Sequence, residues 1–295
     1  MKPYQNGEVT KMLYFCSRQR SIIIVVMIMS FLLVGCGSVN LSRGNDYSRK
    51  GEYHRAISEF SKALQQNPRC GDAFIGRGLA YYKKNEYDKA LNDLNEGIRL
   101  KPRAANALCI RGIIYFEKQE YDKAIVDYDE TIRLEPKFIG AYSNRGLAYY
   151  RKCEYEKAIA DYDKALKLDP ESSQVYSNRG LAYFNKGEHE KAIADYSEVI
   201  RLEPEFPDAY LNRGIVYHEK GDIEKTLSEY DKSMKSGPEY NKDEHKKKKP
   251  QWRKYYNSAA ADYKTFLKLA PSEHALFESS VIRLQEVEKK TRGQE

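Results

Sequence analysis

Histidine is scarce in this chain, with five in 295 residues, and the five are scattered. His54, His189, His218, His245 and His274 fall in no Ser/His/Asp or Cys/His arrangement, and the sequence has no phosphate loop and no metal-ligand spacing. These absences argue against an enzyme and predict no cofactor, no metal and no small-molecule substrate. Cysteine is also sparse. Cys70, Cys109 and Cys153 are an odd set at unlike positions, which fits neither a disulfide framework nor a zinc site. They read as small apolar filler. Charge of one sign is not in excess, since 50 Lys+Arg against 43 Asp+Glu leave +7. So small a balance predicts no nucleic-acid partner. Long hydrophobic runs are absent too. The one apolar stretch, Ser21 to Val34, has about 14 residues, short of the roughly 20 that span a bilayer as a helix.

What the chain has instead is a period. Gly44, Gly78, Gly112, Gly146, Gly180 and Gly214 are evenly spaced, and Pro68, Pro102, Pro136, Pro170, Pro204 and Pro238 keep the same step. Six periods follow without insertion: 37–70, 71–104, 105–138, 139–172, 173–206 and 207–240. Within one of them, Tyr142, Gly146 and Tyr149 have helical spacing. Tyr155, Ala158, Ile159, Tyr162, Ala165 and Leu166 have it again after a turn at Lys152-Cys153-Glu154, and Asp169-Pro170 ends the second helix. Each period is therefore a helix–turn–helix hairpin. Glycine and alanine mark the helix crossing, and tyrosines fill the space around it. Arg43, Arg77, Arg111, Arg145, Arg179 and Arg213 precede Glu59, Asp93, Asp127, Asp161, Asp195 and Glu229 by one fixed interval. An arginine–carboxylate bridge inside every hairpin is the simplest account. In the sixth period Thr226 takes the place of the small alanine, so looser packing is expected there.

This succession of aromatic, glycine, tyrosine, alanine, aromatic and proline resembles the tetratricopeptide repeat. The resemblance implies an all-α, right-handed superhelical solenoid of stacked hairpins, with the first helix of each repeat lining a concave groove. It places Asn144, Asn178 and Asn212 in that groove, beside an apolar row (Leu79, Ile113, Leu147, Leu181) and an aromatic row (Tyr82, Phe116, Tyr150, Phe184). Asparagine both donates and accepts hydrogen bonds, which suits pairing with an extended peptide backbone. The alternative is that these side chains only support neighbouring first helices. Chaperone-tail binding is not expected, because the fifth positions (Leu41, Ile75, Cys109, Ser143, Ser177, Leu211) hold none of the lysines that a carboxylate clamp uses. Gly78, Gly112, Gly146, Gly180, Gly214, Arg145 and Asp161 read as structural.

At the other end, Leu33-Val34-Gly35-Cys36 closes the apolar stretch behind a cationic leader. This resembles a bacterial lipoprotein signal. It implies cleavage after residue 35, a diacylglyceryl thioether on Cys36, and a protein held at the cell envelope by its N-terminal lipid. If the organism has two membranes, Gly37 after the cysteine implies the periplasmic face of the outer membrane. An uncleaved anchor, ordinary cleavage or a buried helix are the other readings. The true start is Met1 or Met12. Residues 241–250, with Lys246-Lys247-Lys248-Lys249, read as a basic linker, either solvated or touching an anionic surface. Residues 251–290 read as a degenerate repeat with a capping helix. Trp252, Tyr255 and Tyr256 would pack it on the array, Ser272 would cap its last helix, and Leu276, Ile282 and Leu284 would be buried. The expected function is an adaptor that binds a protein or peptide. A self-associating architectural protein is the alternative.

Overall fold

The protein, described here from a computed structural model, is defined over residues 39–235 and 251–293. The leader 1–35, Cys36, the Lys246–Lys249 run and the expected end of the sixth period at Tyr240 lie outside the described residues. Among those described there are thirteen helices and no strand. They are α1 (Val39–Arg49), α2 (Tyr53–Gln66), α3 (Gly71–Lys83), α4 (Tyr87–Leu100), α5 (Ala105–Glu117), α6 (Tyr121–Leu134) and α7 (Ile139–Arg151). There follow α8 (Tyr155–Leu168), α9 (Ser173–Asn185), α10 (His189–Leu202), α11 (Pro207–Lys235), α12 (Trp252–Leu269) and α13 (Phe277–Arg292). The chain divides into two compact units, the first reaching Ile114 and the second starting at Tyr115.

In the first unit α1 packs on α2, α2 on α3 and α3 on α4. Its core is Ala56, Phe60 and Ala73, with Ala90, Leu94 and Ile114 in a second cluster. Cys70 is buried here, and so is Cys109. In the second unit each helix from α6 to α13 packs on the next. Tyr162 and Tyr196 are wholly buried beside Ala158 and Ala192. The helices cross closely at the marked glycines. A Cβ at Gly146 would stand 2.8 Å from the Tyr162 ring, so no larger residue fits without moving that ring.

One turn recurs once per period. Gly51, Asn85, Gln119, Cys153 and Gly187 all have φ between 59° and 81°. The following residue, Glu52, Glu86, Glu120, Glu154 or Glu188, donates its backbone N–H to a tyrosine carbonyl five residues earlier, as Glu154 does to Tyr149 at 2.9 Å. This is a left-handed C-terminal cap that satisfies the last carbonyls of the first helix. The same glutamates begin the second helix and pair three residues on with Arg55, Lys89, Lys123, Lys157 and Lys191. Hydrogen bonds to Lys84 and Lys89 hold the Glu86 carboxyl down at about 2. Cys153 is exposed at its turn, so it does not fill the core as expected from the sequence.

The sixth hairpin departs from the other five. At Gly221, the next position in the turn series, the chain does not turn, and α11 continues through it to Lys235, 29 residues in all. The second-helix place is taken by α12. Gly214 faces the Tyr263 ring, 2.9 Å from where a Cβ would stand, and Ala259 is fully buried. Arg213 accordingly bridges to Asp262, 49 residues on, and not to Glu229. The reason is steric. A β-branched Thr226 would have to enter a crossing where Ala158, Ala192 and Ala259 have no exposure at all. Further on, Tyr256 is buried, with Trp252 and Tyr255 partly covered. The last helix begins at Phe277, and Ser272 bonds Glu273 without capping it. Leu276 (46% exposed) and Ile282 (64%) face solvent, while Ser280 and Val287 are buried. Leu284 packs partly buried against the core as expected, so the covered stripe runs through Ser280, Leu284 and Val287 and leaves out Leu276 and Ile282.

Candidate functional site

The bridges that position the first helices are built from single arginines. Arg145 donates Nε and Nη2 to Asp161 at 2.8 and 2.6 Å, the fork-to-fork geometry a carboxylate prefers. Arg77 holds Asp93, and Arg179 holds Asp195, in the same way. Hydrogen bonds from Arg145 to Asp161 raise the guanidinium above its ordinary value against the opposing effect of burial. At Arg179 burial opposes the charge and the Asp195 hydrogen bonds overcome it. Burial in turn pushes the Asp161 and Asp195 carboxyls up, against the pull of their arginines. The first period is an exception to the expected series. Arg43 is exposed and does not reach Glu59, which pairs with Lys62 at 2.5 Å.

Each guanidinium has a second hold that the sequence reading missed. Its remaining Nη1 reaches back 16 residues to the preceding second helix: Arg77 to Ser61, Arg111 to Asn95, Arg145 to Asp129, Arg179 to Asp163 and Arg213 to Ser197. The signal was present, since a polar residue stands two places after the acidic position of the second helix in each of those periods. In the second unit a lysine series runs in parallel. Lys152 reaches Asp122 at 2.5 Å, Lys186 reaches Glu156 at 3.1 Å, and Lys220 pairs with Glu190. In the second unit consecutive hairpins are thus tied twice per step.

Held in this way, the candidate residues lie along the first helices. In the first unit Leu79, Tyr82 and Ile113 are half-buried, and Tyr82 stacks on Tyr87 at 6.2 Å. In the second unit Asn144, Leu147 and Tyr150 follow one another at three-residue steps along α7, as do Asn178, Leu181 and Phe184 along α9. Asn144, Asn178 and Asn212 are all half-buried. Asn178 accepts a hydrogen bond from Gln174 on its own helix at 3.1 Å. Among the described residues the side-chain amides of Asn144 and Asn212 have no protein partner. Leu181 is 37% exposed.

The aromatic row is tied into the hairpins. Phe116, Tyr150 and Phe184 meet Tyr121, Tyr155 and His189, the first residues of the following helices, at 5.4, 5.7 and 5.9 Å. The Tyr150 hydroxyl accepts from Asn185 at 3.0 Å, a link between adjacent hairpins that the sequence reading did not anticipate. The Arg151 guanidinium lies over the Phe116 ring at 6.0 Å. Chemically, the face offers amide donors and acceptors beside leucine and aromatic surface. Among the described residues no cluster of histidine, cysteine, aspartate and glutamate is grouped to hold a metal ion. No described helix is long and apolar enough to cross a membrane.

Family models described as tetratricopeptide repeat match residues 41–104, 140–172 and 161–194, and one described as TPR repeat matches 112–152 and 180–221. The chain is built of tetratricopeptide repeats. The all-α fold of consecutive packed helices agrees with that of solved tetratricopeptide proteins. A crystal structure of MamA is 27% identical, with a TM-score of 0.52 over 55% of this chain and 94% of that one. MamA from Desulfovibrio magneticus RS-1 is 21% identical, with a TM-score of 0.54 over 57% of this chain and 97% of that one. YrrB, described as a TPR protein with an unusual peptide-binding site, is 17% identical, with a TM-score of 0.56 over 76% of this chain and 97% of that one. No curated protein matches the chain significantly.

Proposed function

We propose that this tetratricopeptide protein is a non-enzymatic adaptor that binds an extended peptide or protein segment along the first helices of its second unit. The observation that carries the reading is the pair of uncommitted amides at Asn144 and Asn212, on either side of Asn178 and one period from it. Half-buried amides without a protein partner suit a ligand's backbone N–H and C=O groups, which any sequence offers. Leu147, Leu181 and Ile215 lie three residues further along the same helices and would supply apolar contact. Half-buried rings at Tyr150 and Phe184 add surface already fixed by the fold, so little side-chain freedom is lost on binding. The test is recovery of partners from envelope extracts with the triple variant Asn144→Ala, Asn178→Ala and Asn212→Ala. Recovery should fall while the helical circular dichroism signal is unchanged. Undiminished recovery would place binding elsewhere.

The adaptor works, in this reading, tethered to a bacterial envelope membrane through lipid on Cys36, and on the periplasmic face of the outer membrane where two membranes exist. The support is the sequence Leu33-Val34-Gly35-Cys36 behind an apolar core too short to span. Two or more acyl chains hold a protein stably where one does not, each buried CH₂ contributing about 0.8 kcal/mol. Mass spectrometry of the mature N-terminus should find a lipidated cysteine, and Cys36→Ser should release the protein from the membrane fraction. An unmodified thiol at Cys36 in the mature protein would remove this part of the proposal.

A further inference from the structure

One first helix in this chain has two candidate partners, and the structure uses the more distant. Gly221 stands one full period after the turn residue Gly187, Thr226 after Ala192, Leu227 after Ile193 and Glu229 after Asp195. Residues 222–235 therefore keep the register of a second helix, yet they continue α11. Two of their apolar side chains are left uncovered, Ile223 at 43% and Leu227 at 58% exposed. Glu229, in bridging register with Arg213, is exposed and stands 3.8 Å from Lys225. The place it would take is filled by Asp262.

The two segments need the same ground and cannot hold it together. Either can give Arg213 a carboxylate. What separates them is the crossing, where α12 brings fully buried Ala259 and residues 222–235 bring Thr226. Gly221 is the natural pivot. It is helical here, with a Cβ position only 2.5 Å from the Tyr256 ring, yet glycine alone enters the left-handed turn conformation without strain. We propose that residues 222–235 and α12 are exchangeable second helices of the sixth hairpin, so that the C-terminal end of the array has two alternative pairings about Gly221. In the second pairing Gly221 turns as Gly187 does, Ile223 and Leu227 gain cover, and α12 leaves with α13. The inference rests on helix pairing alone and stands whether or not the asparagines bind a peptide.

The only tryptophan reports the exchange. Trp252 sits at the start of α12, half-buried and edge-on to Tyr256 at 5.8 Å. The test follows its emission in the full chain. Thr226→Ala eases the nearer segment into the crossing, and Asp262→Asn weakens the distant one. Together they should move the emission to the red. Glu229→Gln should leave the emission of the natural chain unchanged, because Glu229 is outside the pairing there. In the doubly substituted chain it should move the emission back to the blue, because Glu229 has become the partner of Arg213. The proposal is overturned if the double variant emits like the natural chain. It is equally overturned if Glu229→Gln leaves a red-shifted emission in place, which is the mark of a merely loosened α12.

Discussion

Individual side chains here are held by requirements of very different size. Gln119 sits at φ +61° in a turn where Gly51 and Gly187 occupy the equivalent positions. A left-handed conformation costs an ordinary L-residue about 1–2 kcal/mol, and glycine returns part of that gain through a freer unfolded chain. Gln119→Gly should therefore stabilise the protein by about 0.5–1 kcal/mol, read as a higher urea midpoint. Asn85→Gly should gain less, because asparagine already tolerates the region. The bridges differ more widely. The Asp161 side chain is 8% exposed and grips Arg145 with both oxygens. Removing one member of a covered pair strands the other, so Asp161→Ala should cost about 3 kcal/mol. Asp163, 43% exposed and bound to Arg179 by one oxygen, should cost less than about 1 kcal/mol when made alanine. Denaturation midpoints of the two variants measure the ratio.

At the scale of the helix, α11 shows what a sequence can and cannot tell. The hairpin pattern of the first five periods was legible, apart from the bridge expected between Arg43 and Glu59, because Gly, Ala, Tyr and Pro each answer a steric demand that recurs in every period. The sixth was not, because the second-helix pattern occurs twice, around Glu229 and around Asp262, and only the closeness of the crossing decides between Thr226 and Ala259. The face of α13 was read rightly at Leu284 and wrongly at Leu276 and Ile282, for a related reason. Apolar residues on a short terminal helix do not reveal which side meets a neighbour, and Val287 was taken up while Ile282 was not. The junction these helices form should respond to pH. Burial lowers His218 below the ordinary 6.5. The imidazole faces Asp222 on its own helix and Lys290, Glu286 and Arg283 on α13, and it lies edge-on to the Tyr256 and Tyr263 rings of α12. The unfolded chain binds the proton more readily than the folded one, so this contribution is complete above pH 6.5 and declines as pH falls below it. Acidification should therefore loosen α12 and α13, seen as a red shift of Trp252 emission, and His218→Gln should abolish that shift.

For the chain as a whole, the period is the property that matters. Removing residues 139–172 brings Arg179 to Asp129 in place of Asp163 and Lys186 to Asp122 in place of Glu156, so every tie finds an acceptor of the same charge. That deletion should leave a cooperatively folding protein with a lower melting temperature, as expected for an array whose stability adds up repeat by repeat. Removing 139–155, half a period, should abolish cooperative melting, and calorimetry distinguishes the two. The candidate binding residues were legible only as positions. That Asn144 and Asn212 are uncommitted while Tyr150 is tied to Asn185 depends on neighbours one period away, which spacing alone does not rank. The backward reach of the arginines has a last consequence. Ser61, Asn95, Asp129, Asp163 and Ser197 each accept from the following repeat, but the corresponding residue of α12, two places after Asp262, is Lys264, paired with Glu288 of α13 at 2.8 Å. A lysine has no lone pair to offer an arginine, so α12 lacks the acceptor by which each earlier second helix holds the repeat after it.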